Sequence, residues 1–155
     1  VIYVIENNRY GMGTSVERAS AGKELWQRGQ AYGIPGEQLD GMDVCTVNNV
    51  ATNALDYVRS GNGPYILEMQ TYRYRGHSMS DPAAYRSKTE VQKIRTEKDP
   101  LDSLKLILVK KGYETESSLK DYDKEIREMI NEAADFAQES PEPNPSELYT
   151  DVLSE

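Results

Sequence analysis

Apolar positions along this chain follow two periods, and their alternation sketches the fold. The opening run Val1–Ile5 (VIYVI) is apolar throughout, as expected of a strand buried in a parallel sheet. Residues 38–44 (QLDGMDV) read as a second strand with Gly41 at a turn or bulge, and Tyr65–Thr71 (YILEMQT) as a third. A short helix is expected around Lys23–Tyr32. Over 46–60, Val47, Val50, Ala51, Ala54, Leu55 and Val58 recur at helical spacing, with Gly61, Gly63 and Pro64 to end the helix. Strand–helix–strand–helix–strand predicts an α/β class, a parallel sheet with covering helices. Residues 6–13 read as a polar turn-rich loop, and residues 72–87 (YRYRGHSMSDPAAYRS) fit neither period and form a long loop. Helices follow over 88–96, 99–111 and 115–139. The last carries the stripe Leu119, Tyr122, Ile126, Met129, Ile130, Ala133, Phe136 and Ala137, expected to be core first and partner surface second. The predicted organisation is a sheet domain over 1–87, then a helical C-terminal region over 88–155 whose tail, from residue 140, is flexible after the helix-breaking SPEPNP.

Composition narrows the function classes. The 155 residues suit one domain, and no apolar run of 18 residues offers a membrane-spanning helix. The net charge of −8 argues against nucleic acid as a partner. That charge is uneven: residues 112–155 carry 13 acidic against 3 basic side chains, while 76–111 carry 8 basic against 5 acidic. The single cysteine, Cys45, excludes an internal disulfide framework and a Cys-based zinc site; it reads as a small buried residue near a strand end. The opening VIYVIENN lacks the form of a secretion signal. The chain starts without Met directly on an apolar run, so a fragment of a longer protein is expected.

Ligands of open parallel sheets bind beyond the carboxyl ends of the strands. Two loops leave such ends here, ENNRYGMGTS (6–15) and YRYRGHSMSDP (72–82), and parallel strands would put both on one side. Asn8 offers a neutral oxygen of the kind magnesium accepts beside phosphate oxygens, and Gly11 and Gly13 permit close backbone approach. Arg73, Arg75 and Arg86 with His77, the only histidine, suggest a phosphate clamp. Ser78 and Ser80 beside arginines have the look of a kinase target, where added phosphate would repel an anionic ligand or disorder the loop. Neither a Gly-x-Gly-x-x-Gly nor a Walker loop is present. Ser78, His77 and Asp81 are neighbours in sequence, unlike a hydrolase triad.

The segments ENNRYGMGTSVERA and TYRYRGHSMSDP, with IPGEQLDGMDV, SGNGPYILEMQTYRY and EAADFA, closely resemble the alpha subunits of thiamine-diphosphate-dependent pyruvate dehydrogenases. The resemblance covers nearly the whole chain and matches the C-terminal portion of those subunits. It implies the C-terminal half of a thiamine-diphosphate-binding fold, in an alpha2beta2 heterotetramer with a beta subunit. It implies oxidative decarboxylation of pyruvate, with the acetyl group passing to lipoamide on the lipoyl domain of an acyltransferase. Related branched-chain 2-oxo acid and acetoin dehydrogenases are the alternatives, as is an inactive fragment. By resemblance, Asn8 is a magnesium ligand through its side chain and Tyr10 through its carbonyl. An upstream Gly-Asp-Gly segment would supply an aspartate. Arg73 and His77 match residues that engage the diphosphate, and His77 is the candidate catalytic group near acyl transfer. The glutamate that activates the aminopyrimidine belongs to the beta subunit, which leaves Glu6 and Glu68 without that role. Ser78 and Ser15 match phosphorylation sites of mitochondrial relatives; Ala83-Ala84-Tyr85 is one residue shorter than the family pattern and lacks a third. The implied location is cytoplasmic in a bacterium and the mitochondrial matrix in a eukaryote.

Overall fold

A computed structural model describes residues 1–152. Its centre is a three-stranded parallel sheet of β1 (Ile2–Asn7), β4 (Gly36–Asp40) and β5 (Tyr65–Gln70), in the order β1-β5-β4. Two short strands, β2 (Tyr10–Gly11) and β3 (Thr14–Ser15), pair antiparallel in the loop after β1. The expected α/β architecture is therefore present, with shifted boundaries. β1 runs two residues past the expected end, because its ladder with β5 continues to the Asn7–Gln70 pair. β4 covers 36–40 rather than 38–44. The Asp43 carboxylate accepts N–H bonds from Cys45 and Thr46 at 2.9 and 3.2 Å, which starts the next helix early. Gly36 is required where β4 meets β5: a Cβ there would lie 2.5 Å from the Ile66 carbonyl oxygen.

Helix α2 (Val44–Arg59) covers one face of the sheet. Leu39, Ala54 and Leu67 form the buried core there, joined by Ile2, Val47, Val50, Ala51, Tyr65 and Met69. The short helix expected near 23–32 is a 3₁₀ helix at Leu25–Tyr32, preceded by the one-turn α1 (Val16–Ala19), and it packs against β4 and β5. This face is polar at its centre. Alternation along β5 sends Leu67 toward α2 and Glu68 the other way, and both are fully buried. Helices α3 (Lys88–Lys98) and α4 (Pro100–Lys110) follow the long loop, with Ser87 capping α3 and Pro100 at the first position of α4.

The chain divides into two compact units, Val1–Ile107 and Leu108–Glu155. Residues 88–107 thus group with the sheet rather than with the expected helical region from residue 88. The second unit is dominated by α5 (Glu116–Glu139), opened by a reciprocal capping box between Thr115 and Ser118. Its apolar stripe is not core: Tyr122, Ile126, Met129, Ile130 and Phe136 are all exposed. Helical periodicity identifies a face but not what covers it. The tail contains a 3₁₀ helix at Pro145–Tyr149, and residues 153–155 lie outside the described residues. Cys45 also departs from expectation, being exposed in the first turn of α2. Among the described residues no helix is long and apolar enough to cross a membrane.

Among the described residues Leu67 is the most deeply buried apolar side chain of this small core. Leu67→Ala should lower stability by about 3 kcal/mol, as buried Leu→Ala changes do. Urea unfolding should show a lower midpoint at unchanged slope.

Candidate functional site

Because the sheet strands run parallel, the segments after β1 and β5 leave the same edge, and the structure joins them directly. The backbone N–H of Thr71 donates to the Asn7 carbonyl at 3.0 Å, which starts the two loops side by side. Further out, Arg73 Nη2 donates to the Met12 carbonyl at 3.4 Å and to the Tyr85 hydroxyl at 3.2 Å. The rings of Tyr10 and Tyr85 pack with centroids 5.2 Å apart. Tyr85 also lies against Gly13, where an added Cβ would sit 3.2 Å from its ring. The backbone is strained on both sides of this contact. Arg9, Met12 and Ala83 all take left-handed φ angles, of 69°, 54° and 52°.

Arg86 holds the second loop from within. It is only 7% exposed, and its guanidinium donates to the carbonyls of Arg73 and Arg75. It also lies over the rings of Tyr72, Tyr85 and Tyr10, at 5.2, 5.4 and 5.7 Å from their centroids. The opposite end of the loop turns around Asp81. Its carboxylate accepts from the His77 N–H at 2.7 Å, the Ala83 N–H at 2.8 Å and the Tyr85 hydroxyl at 2.8 Å. These bonds, led by the one from His77, hold the Asp81 carboxyl below its ordinary range. Gly76 allows the tight return, since a Cβ there would meet the Asp81 carbonyl oxygen at 2.4 Å. Two phenols tie the loop start to α3 and its end: Tyr72 donates to Glu90 and Tyr74 to Asp99, each at 2.9 Å. Burial, reinforced by the Asp99 carboxylate, pushes the Tyr74 phenol up to about 12, so it stays a donor.

The expected three-arginine phosphate clamp is not what this arrangement shows. Arg86 is buried among carbonyls and rings, and Arg73 is bonded to Tyr85 and two carbonyls; Arg75 alone of the three is exposed. A guanidinium has more N–H donors than a nearby anion needs, and the loop carbonyls use them. The other sequence candidates fall as follows. Asn8 is half-buried just past β1, and its Oδ1 accepts the Tyr10 N–H at 3.2 Å. Tyr10 sits in β2 under Arg86. His77 and Ser78 are exposed on the loop, with the Ser78 and Ser80 hydroxyls 3.0 Å apart. Ser15 caps α1 by accepting the Arg18 N–H at 3.3 Å.

Two cavities flank this edge. One of about 420 Å³ is lined by Arg9, Gln38, Gln70 and Tyr72 with residues of β4 and α3. The other, of about 270 Å³, is lined by Asn7, Arg9, Tyr10, Ser15, Lys23 and Glu90 among others. Asn8 and His77 line neither; Arg73, Tyr85 and Arg86 join the loops that bear them. Tyr85, Asp81 and the buried pair Asn7–Glu68 are the contributors that local sequence did not single out as site residues. The only hint was an Asn and a Glu placed where a strand should be apolar.

The donor chemistry near Asn8 is oxygen only. The Asn8 Oδ1 has lone-pair capacity beyond the Tyr10 N–H, and the Tyr10 carbonyl lies two residues on. Two such oxygens suit a hard cation that takes its remaining ligands from phosphate, water or other protein segments. Among the described residues no group of three His, Cys, Asp or Glu side chains is placed to hold a metal.

The family model for the dehydrogenase E1 component matches residues 1–146. The chain is 61% identical over 153 residues to the pyruvate dehydrogenase E1 component subunit alpha of Rhizobium meliloti, covering 99% of this chain and 44% of the relative. The protein of the same name from Zymomonas mobilis is 54% identical, over 99% of this chain and 43% of the relative. A mitochondrial one from Sminthopsis macroura is 49% identical, over 99% and 42%. The chain therefore spans less than half the length of these curated relatives. The matches establish that share, and not the C-terminal placement expected from the sequence.

Arg86→Lys keeps one charge but cannot serve two carbonyls in a fixed plane. It should raise limited proteolysis within residues 72–87 at least tenfold. Acid should do the same through Asp81. A carboxyl lowered on folding contributes its stability above the unfolded value near ~3.9, and loses it as pH falls through the lower folded value. Protection of the loop amides should persist at about pH 5 and fall below about pH 4, and Asp81→Asn should abolish that acid step.

Proposed function

The chain belongs to the dehydrogenase E1 component family, and on that premise we propose that it forms the cofactor-loop part of the alpha subunit of a thiamine-diphosphate-dependent pyruvate dehydrogenase. The observation that carries this reading is the meeting of the 8–15 and 71–87 loops at the carboxyl edge of a parallel sheet, the place where such folds take their ligands. The substrate is pyruvate. The acetyl group passes to lipoamide on the lipoyl domain of an acyltransferase, and the partner is a beta subunit in an alpha2beta2 assembly. Bound thiamine diphosphate would supply the electron sink for decarboxylation, while the protein supplies orientation and electrostatics.

Each residue has a defined task in this reading. Asn8, through Oδ1, and Tyr10, through its carbonyl, hold a magnesium ion that neutralises the diphosphate. The bond from the Tyr10 N–H keeps the Asn8 side chain folded toward the same turn, so both oxygens belong to one rigid unit. Arg73 engages the diphosphate from the base of the second loop through Nη1, since Nη2 is taken by Met12 and Tyr85 and Nε by the Arg75 carbonyl. His77 is held at its backbone by Asp81 and leaves its ring at the loop surface, free to donate or accept a proton as the acyl group leaves. Ser78 is the regulatory hydroxyl. A phosphate there would add nearly two negative charges close to Asp81, whose carboxylate organises the turn. A phosphate on Ser15 would instead displace the cap of a one-turn helix.

The test uses the assembled enzyme carrying this sequence. Asn8→Ala should weaken thiamine diphosphate binding at limiting magnesium at least tenfold by calorimetry. His77→Ala should weaken cofactor binding or slow acetyl transfer to the lipoyl domain, and an unchanged steady-state rate at limiting cofactor would overturn that role. A kcat/KM that favours a branched-chain 2-oxo acid or acetoin over pyruvate would replace the substrate assignment. Failure of the unmodified enzyme to bind thiamine diphosphate would remove the reading altogether.

A further inference from the structure

Glu68 is a carboxylate with no exposed surface, in the central strand of the sheet. Its partners are uncharged N–H donors from three elements. Oε1 accepts from Asn7 Nδ2 at 2.7 Å and from Gln38 Nε2 at 3.2 Å, and Oε2 accepts the backbone N–H of Trp26 at 3.0 Å. A buried carboxylate costs several kcal/mol to desolvate. If cross-linking the sheet were its whole purpose, a neutral side chain would cost less.

All three of its neighbours donate to it, so this carboxylate serves here only as an acceptor. Facing it, the Asn7 amide must turn its NH₂ inward and its oxygen outward. The outward Oδ1 then accepts the Arg9 N–H at 3.0 Å. Arg9 is a strained, left-handed residue of the loop, and Asn7 is itself buried at 6% exposure. Asn8 lies between these two anchored residues and Tyr10 follows them. The orientation chosen inside the sheet therefore reaches the two oxygens assigned to the cation in two hydrogen bonds.

We propose that Glu68 is a positioning residue: its acceptor-only carboxylate fixes the Asn7 amide so that the Asn7–Arg9 turn presents the Asn8 and Tyr10 oxygens to the cofactor's cation. The proposal rests on the cofactor assignment above for its purpose, though not for its geometry. Glu68→Gln breaks the logic, because the new NH₂ must face either the Trp26 N–H or the Asn7 NH₂, or force the Asn7 amide to flip against the Arg9 N–H. The exchange Asn7→Asp with Glu68→Gln restores it. Gln at 68 then accepts from Trp26 and donates to Asp at 7 and, with the Gln38 amide turned oxygen inward, to Gln38, while Asp at 7 still accepts from Arg9 and the net charge is unchanged.

Two readouts on the full assembled enzyme separate the claims. The first is amide hydrogen exchange in peptides covering residues 8–13, without cofactor. The second is the calorimetric Kd for thiamine diphosphate at fixed magnesium. Glu68→Gln should speed exchange over 8–13 and weaken binding, each about tenfold, the scale of one or two lost buried hydrogen bonds. The double exchange should return both to within about threefold of the unmodified enzyme. A purely structural cross-link would alter exchange around Trp26 and β4 and leave 8–13 unchanged; that result, or a double exchange that restores neither readout, overturns the proposal. If Glu68→Gln alone does not assemble, the double exchange decides by the same criteria. If the unmodified enzyme binds no thiamine diphosphate, the cofactor reading falls, and exchange over 8–13 still tests the positioning.

Discussion

A guanidinium buried among three tyrosine rings sets the shape of the sheet edge where the two loops meet. Arg86 is too costly to bury without acceptors, and the acceptors available are the carbonyls of its own loop. The loop therefore closes on the arginine, and Tyr85 and Tyr72, which flank the cation, are carried into place with it. Tyr85 completes the arrangement by reaching Tyr10, Gly13 and Arg73. The Arg86 Nε is buried without an acceptor among the described residues, so the balance is not complete.

The same edge is built from a second, quieter constraint within the sheet. β5 has core neighbours on both sides, and its alternation places an apolar residue on the α2 face and a carboxylate on the 3₁₀-helix face. The apolar face supplies stability. The polar face supplies direction, since Glu68, Asn7 and Gln38 can satisfy one another in few ways. The two faces thus divide the work of a very small core, with the loops drawing their geometry from the polar one.

Charge in the second loop changes meaning once the fold is known. Read along the chain, Arg73, Arg75, Arg86 and His77 form a basic cluster suited to an anion. In three dimensions Arg73 and Arg86 bond to loop carbonyls, and the Asp81 carboxylate accepts three bonds within the same loop. Basic residues near a presumed anion site are easily credited with direct contact. Their N–H groups are equally suited to backbone carbonyls, and only the distances distinguish the two uses.

Much of the architecture is legible in the residue order. The order of apolar runs, the helical spacing from Val47 to Val58 and the breakers at Gly61–Pro64 point to a parallel α/β unit with both candidate loops at one edge, because side-chain period is a local property; the burial expected of the opening run fails, since β1 is an edge strand with Tyr3 and Val4 exposed. What covers an apolar stripe is not local. The face of α5 from Tyr122 to Phe136 has the pattern of a core and lies exposed, and Cys45, apolar by type, sits in an open helix turn. Nor could order along the chain reveal that Asn7 and Glu68, 61 residues apart, share a hydrogen bond, or that Arg86 faces inward. Partners of buried polar groups are chosen by which strands become neighbours, and that choice is made only when the chain has folded.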